Sequence, residues 1–245
     1  MSKIQLIRVK DYQELSDVAG KIMLDVVKAN PKCTLGLATG SSPIGLYKYL
    51  IKAYENGEVS FKDVKTFNLD EYCELPVTHP ESYYSFMHTN LFNHIDIKEE
   101  NVNIPSSVGD DLKKNCDDYS RKLNAATVDM QLLGIGANGH IGFNEPGTPF
   151  DSETLIVTLK DKTRQDNARF FDNDINQVPK HAITMGIKNI MNAKSVLLVA
   201  SGKNKADAIN KLINGPVTEE FPASALQNHK GKVIVVADEE ACSLL

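Results

Sequence analysis

Met130-Gln131-Leu132-Leu133-Gly134-Ile135-Gly136-Ala137-Asn138-Gly139-His140-Ile141-Gly142-Phe143-Asn144-Glu145-Pro146-Gly147 is an apolar run that breaks into a glycine-rich loop. The run from Met130 to Ile135 reads as the end of a buried strand. Four glycines between Gly134 and Gly142 let the backbone turn sharply and approach a ligand closely. Into that turn are set one histidine, two amides and one carboxylate. A loop of this kind at the carboxyl end of a parallel strand is where open α/β sheets bind ligands. His140 can carry protons near neutral pH, and Glu145 is close enough in sequence to orient it.

Gly134, Gly136 and Gly139 also match G-x-G-x-x-G. A dinucleotide site needs its third glycine to open a helix whose N-terminus holds the pyrophosphate. Here Pro146, Gly147 and Pro149 follow at once, and no helix runs through them. No nucleotide cofactor is expected.

The chain has 245 residues, 42% of them hydrophobic, which suffices for one large α/β domain over 1–245. A net charge of −5 and the lack of any Lys/Arg run argue against nucleic acid as a partner. An anionic ligand would therefore need a local cluster of donors. Cys33, Cys73, Cys116 and Cys242 show no C-x-x-C spacing, so neither a zinc site nor a disulfide framework is suggested. No apolar run reaches signal-peptide or membrane-span length, so a cytoplasmic, reducing location is expected.

Outward from the central loop, strands and helices alternate. Residues 3–9 read as a strand, and 12–29 carry Leu15, Val18, Ala19, Ile22, Val26 and Val27 at helical spacing. Residues 34–38 form the next strand and run into Thr39-Gly40-Ser41-Ser42-Pro43, with Ser42 as N-cap and Pro43 as first helical residue. Strand, Thr-Gly-Ser-Ser, then helix N-terminus is either a plain capped helix or a phosphate cradle. Gly40 with two adjacent hydroxyls favours the cradle. Residues 64–68 are a strand, followed by Asp70, Glu71 and Tyr72; such acids are commonly solvated loop charges, but one could face a ligand at this edge. Helices are expected over 80–94 and 110–123, and a strand over 154–159. Residues 161–179 read as polar and irregular, inside a mobile cover expected around 158–186. Regular structure resumes at 182–185 and 187–191. Residues 195–200 are a buried strand, after which Lys205 is a second candidate phosphate donor. Residues 233–238 are the last strand. The pattern gives a single-domain, doubly wound, mostly parallel α/β sheet with helices on both faces.

Ala38-Thr39-Gly40-Ser41-Ser42-Pro43, Phe67-Asn68-Leu69-Asp70-Glu71-Tyr72, His79-Pro80-Glu81-Ser82-Tyr83-Tyr84, Gly134 to Pro146 and Ala168-Arg169-Phe170-Phe171-Asp172-Asn173-Asp174 together resemble the glucosamine-6-phosphate deaminase family, in order and over almost the whole chain. The resemblance implies conversion of glucosamine 6-phosphate and water to fructose 6-phosphate and ammonia, in N-acetylglucosamine catabolism, with no cofactor or metal. It implies that His140 opens the pyranose ring, with Glu145 orienting it and Asn138 completing the cluster. Asp70 matches the base that moves a proton from C2 to C1. Thr39, Gly40, Ser41, Ser42, Arg169 and Lys205 match the phosphate-binding positions.

One position departs from the family pattern: many members have aspartate where this chain has Asn138. An amide takes no negative charge, so His140 loses an electrostatic partner, and activity with a shifted pH profile is expected. In the hexameric, regulated members a basic pair after the Asn-Glu-Pro turn helps bind an activator's phosphate. Here that segment is Thr154-Leu155-Ile156-Val157-Thr158, and longer relatives continue past the position of Leu245 into a further helix. A short, non-allosteric type is expected, a monomer or small homo-oligomer. Two alternatives remain. The 6-phosphogluconolactonases are similar in fold but tend to read G-H-T-A-S-L-F-P at 139–146 and lack the 68–72 setting. A sugar-phosphate-sensing regulator would need a DNA-binding module.

Overall fold

The structure is a computed structural model and describes residues 4–245, so the first residue of the expected strand 3–9 lies outside the described residues. Within them the chain runs β1 (Ile4–Val9), α1 (Tyr12–Ala29), β2 (Thr34–Leu37), α2 (Ile44–Glu55), β3 (Lys65–Asn68), β4 (Asp70–Tyr72), α3 (Tyr83–Asn90), β5 (Val102–Asn103) and α4 (Leu112–Ala125). It continues with β6 (Met130–Leu133), β7 (Leu155–Thr158), α5 (Asp161–Asn167), β8 (His181–Thr184), α6 (Ile187–Met191), β9 (Ser195–Ala200), α7 (Ala206–Asn214) and β10 (Lys232–Asp238).

Seven strands form one parallel sheet in the order β1-β10-β9-β6-β2-β3-β5. Residues of both parities in β2, β6, β9 and β10 are buried, so both faces of the sheet are covered, as an all-parallel sheet requires. Connections from β2 lead outward through β3 to β5, whereas connections from β6 lead the other way through β9 to β10. The switch point lies between β2 and β6, and a crevice opens outside their carboxyl ends. The two loops that leave those ends are the Thr39-Gly40-Ser41-Ser42 turn and the glycine-rich loop. Topology alone therefore brings the two sequence motifs face to face.

Local chemistry explains where the helices start. Asp11 caps α1 by accepting from the Glu14 N–H, and Ser82 caps α3 by accepting from the Ser85 N–H. The apolar face of α1 packs on α2 and on β9 and β10. Helix α2 starts one residue later than expected: Pro43 occupies the cap without a side-chain hydrogen bond, so Ser42 does not cap. The expected helix 80–94 is confined to α3 plus a 3₁₀ turn at Phe92–His94, because Pro80 and the Ser82 cap exclude earlier residues.

A second, antiparallel sheet, β4-β8-β7, was not foreseen. Asp70 pairs with Thr184 and Tyr72 with Ala182, so the acids after β3 lie in a strand rather than a solvated loop. The irregular reading of 161–179 is also corrected, since α5 and a 3₁₀ turn at Ala168–Phe170 lie within it. Asp161-Lys162-Thr163-Arg164-Gln165-Asp166-Asn167 has no apolar residue, so no helical periodicity marks it. After the turn, Asp172 and Asn173 adopt left-handed backbone, φ 53° and 60°, which these residue types tolerate.

Candidate active site

A cavity of about 700 Å³ occupies the crevice between β2 and β6. Its walls include Thr39, Gly40, Ser41, Ser42, Asp70, His140, Arg169 and Lys205. Asn138 and Glu145 stand behind His140. All ten residues singled out from the sequence thus come to one place.

Asp70 opens β4, where the chain leaves the parallel sheet at Leu69 and enters the antiparallel one. It is 6% exposed, and among the described residues its carboxylate has no hydrogen-bond partner. Burial, followed by the neighbouring Glu71 carboxyl, pushes its pKa up to about 8. Glu71 is buried too, but it accepts from the backbone N–H groups of Tyr72, Tyr83 and Tyr84 at 2.8, 2.9 and 2.8 Å. It therefore fastens β4 to the N-terminus of α3, where free N–H groups favour an anion.

The glycine-rich loop holds a directed chain of hydrogen bonds. The His140 backbone N–H donates to Asn138 Oδ1 at 3.2 Å, which identifies that atom as the oxygen of the amide. Asn138 Nδ2 then donates to Glu145 Oε2 at 2.7 Å. The ring nitrogen Nδ1 of His140 lies 2.8 Å from the same Asn138 oxygen, so it must carry the proton. The Nε2 lone pair is left free. Burial lowers the pKa of His140, against the pull of Glu145, so the ring is neutral near pH 7. Gly136 permits this arrangement: a Cβ there would lie 2.3 Å from the His140 ring. Behind the loop, Thr184 Oγ1 accepts from the Phe143 N–H, and Asn144 Nδ2 donates to the Ile141 and Met185 carbonyls. The loop is thereby pinned to β8.

The side of the cavity that holds the residues expected to bind phosphate is built from α2, the Ala168–Phe170 turn and the segment after β9. With Pro43 at the cap, the Ser41 and Ser42 hydroxyls make no hydrogen bond among the described residues, and the α2 N-terminus faces the cavity. Lys205 ends a 3₁₀ turn after β9 and donates to the Ile135 carbonyl at 2.8 Å. Its pKa is lowered by burial first and by nearby Arg169 second. Arg169 lies over the Phe170 ring, 4.7 Å from its centroid. Two cations that repel each other in a shared cavity, opposite free hydroxyls and a helix N-terminus, form a site that an anion completes.

Several lining residues were given no role from the sequence, although Tyr72, Tyr83, Phe143 and Phe171 lie within the quoted motif stretches. Tyr72 and Tyr83, with ring centroids 4.6 Å apart, pack with Phe143 and Phe171 to form one wall. Thr163 of α5 donates to Glu145 Oε1, and Asn167 donates to the Tyr72 hydroxyl at 2.8 Å. Among the described residues no cluster of His, Cys, Asp and Glu is arranged to hold a metal ion.

A doubly wound sheet with an anion cradle, a partnerless buried carboxylate and an oriented histidine in one crevice defines an enzyme of small anionic metabolites, built for proton transfer. The sequence profile of the glucosamine-6-phosphate isomerases/6-phosphogluconolactonase family matches residues 11–235, and the chain belongs to that family. It is 53% identical over 94% of its length to a glucosamine-6-phosphate deaminase of Lysinibacillus sphaericus, of which 97% is covered. It is 51% identical over 99% of its length to that of Clostridium novyi, which is covered completely. The solved structure of a monomeric glucosamine-6-phosphate deaminase superposes with a TM-score of 0.95 at 46% identity, over 98% of this chain and 100% of that one. A 6-phosphogluconolactonase from Trypanosoma brucei superposes over the full length of both chains with a TM-score of 0.83, but at 18% identity this is a likeness of fold.

Proposed function

We propose that this chain is a glucosamine-6-phosphate deaminase that turns glucosamine 6-phosphate and water into fructose 6-phosphate and ammonia, a step of N-acetylglucosamine catabolism. The observation that carries the reading is Asp70, a buried carboxylate without a partner in the same cavity as a neutral, oriented His140. The substrate phosphate binds Thr39, Gly40, Ser41, Ser42, Arg169 and Lys205, which fixes the sugar's C1 and C2 against the catalytic groups.

The ring is opened first. His140 Nε2 takes the proton of the anomeric hydroxyl and returns one to the ring oxygen, as the C1–O5 bond breaks and C1 becomes an aldehyde. The imidazolium formed in passing is stabilised by Glu145, whose Oε2 lies 3.8 Å from Nδ1. Asp70 then removes the C2 proton while the C1 oxygen takes one from the C2 ammonium, which gives an enolamine, and Asp70 delivers its proton to C1. The resulting C2 imine adds water and expels ammonia, leaving the ketose. The protonated amine on C2 of the substrate supplies the charge partner that Asp70 lacks in the empty site, which drives the carboxyl toward its basic form.

The enzyme acts in the cytoplasm as a monomer or small oligomer; no helix of the described residues is long and apolar enough to cross a membrane. Ammonia release from glucosamine 6-phosphate tests the reading directly. Hydrolysis of 6-phosphogluconolactone without ammonia release from the amino sugar would sink it.

A further inference from the structure

Glu145 is 8% exposed, and each of its carboxylate oxygens receives one side-chain hydrogen bond. Oε2 receives the Asn138 amide, and Oε1 receives the hydroxyl of Thr163. A hydroxyl facing a carboxylate has to donate, so this contact has a direction. Thr163 is the buried residue of α5 and is 7% exposed. The helix has no apolar side chain with which to dock. It is held by polar contacts: Thr163 on Glu145, Asn167 on the Tyr72 hydroxyl, and Arg164 Nη2 on the Ile175 and Val178 carbonyls at 2.8 and 3.1 Å. Thr163 and Asn167 are four residues apart and so share one face of α5.

We propose that Thr163 is a positioning residue for ring opening, whose hydroxyl fixes the chain Thr163–Glu145–Asn138–His140 and thereby keeps the His140 proton on Nδ1 and its lone pair on Nε2. With Oε1 occupied, Glu145 offers only Oε2 to Asn138. The amide oxygen then points at His140, and one tautomer of the ring is selected. Without the hydroxyl, Oε1 is a buried acceptor with no donor. The carboxylate then turns to recover one, and the amide loses its single orientation. Because Thr163 belongs to α5, the ring-opening base is complete only while α5 is docked. The asparagine matters here. It relays orientation without carrying charge: the His140 N–H fixes its oxygen at one end, and the Glu145 carboxylate, held in place by Thr163, receives its N–H at the other.

The activity part of this proposal rests on the deaminase reading, but the tautomer part does not. Substrate-free protein labelled with ¹⁵N-histidine, with the His140 signals identified by their loss in His140→Gln, reports which ring nitrogen is protonated. Wild type is expected to show the Nδ1–H form, Thr163→Val a mixture of both tautomers, and Thr163→Ser the wild-type spectrum. With glucosamine 6-phosphate, Thr163→Val should lose roughly tenfold or more in kcat with KM within about twofold, and Thr163→Ser should stay near wild type. Thr163→Ala is a second hydroxyl-free variant and carries the same expectation if the valine protein fails to fold. A His140 spectrum unchanged in the hydroxyl-free variant, or Thr163→Ser as impaired as Thr163→Val, would overturn the proposal. Wild-type protein that releases no ammonia yet shows the tautomer change would defeat the deaminase reading and leave the positioning role standing.

Discussion

Asp70 and Glu71 are adjacent carboxyls of similar burial with opposite surroundings. Glu71 is satisfied by three backbone N–H groups, whereas Asp70 has none and keeps its proton to about pH 8. A base must be deprotonated to act, so kcat/KM should rise with pH up to about pH 8 and fall about tenfold per unit below it. Asp70→Asn should abolish deamination while leaving binding of the phosphorylated sugar largely intact, since general base catalysis is worth roughly 10²–10⁴-fold. Retention of more than about a tenth of wild-type kcat would assign the base elsewhere. The same group has a stability signature. Its folded pKa lies above the unfolded value of about 3.9, so its favourable contribution is complete below about pH 4 and is lost as pH rises toward 8. Asp70→Asn should therefore raise Tm, and by more at pH 8 than at pH 5; an equal effect at both would contradict the elevated pKa. At this scale the sequence was legible where a motif carried the residue, as for Asp70, His140 and Glu145. Thr163 was not legible, because a threonine in a polar stretch looks like any other until its partner is known.

Elements set by long apolar periodicity were readable to the residue: Tyr12–Ala29 and Ser195–Ala200 lie where the sequence alone puts them. Among the elements it did not yield are β4 and α5. β4 is three residues long, too short for an alternation to register, and two of its three buried residues are acids. The buried face of α5 is a threonine, so the rule that apolar residues point inward has nothing to act on. Both elements border the cavity, where local patterning yields to function. The two cations of the anion site also differ by element. Lys205 is tied to the Ile135 carbonyl, in the loop that leaves β6, and among the described residues makes no hydrogen bond to α5. Arg169 lies in the turn that follows α5 directly. Arg169→Ala and Lys205→Ala should each raise KM for glucosamine 6-phosphate by roughly tenfold or more, the scale of one charge-assisted bond to phosphate, and shift Tm far less. Glucosamine without its phosphate should be a very poor substrate for wild type and both variants. Equal activity on the two sugars would remove the cradle assignment.

At the scale of the whole molecule, the parallel sheet with its crevice between β2 and β6 was implied by strand–helix alternation, while β4 joins the second sheet only through pairings across more than a hundred residues, such as Asp70 with Thr184. That second sheet bears on regulation. Control by a second sugar phosphate needs a second site that distinguishes two states of the protein. The segment after the Asn-Glu-Pro turn is β7, which pairs with β8, and β8 in turn pairs with β4, the strand that begins with Asp70. An effector bound to β7 would therefore have a short route to the base. Its exposed side chains, however, are the uncharged Ile156, 40% exposed, and Thr158, and Val157 turns inward to pack with the aromatic cluster around Tyr72. Thr154 to Thr158 contain no cation, and a phosphate held without a cationic partner loses more in hydration than it regains. The expected behaviour is hyperbolic kinetics with a Hill coefficient of about 1, unaltered by N-acetylglucosamine 6-phosphate, from a species near the 27.0 kDa of one chain or a small multiple of it. Rate curves measured with and without that compound, with light scattering on the same sample, decide the matter. Sigmoidal rates that turn hyperbolic on its addition, in a hexamer, would mean that β7 is covered by a partner chain that brings the missing charge.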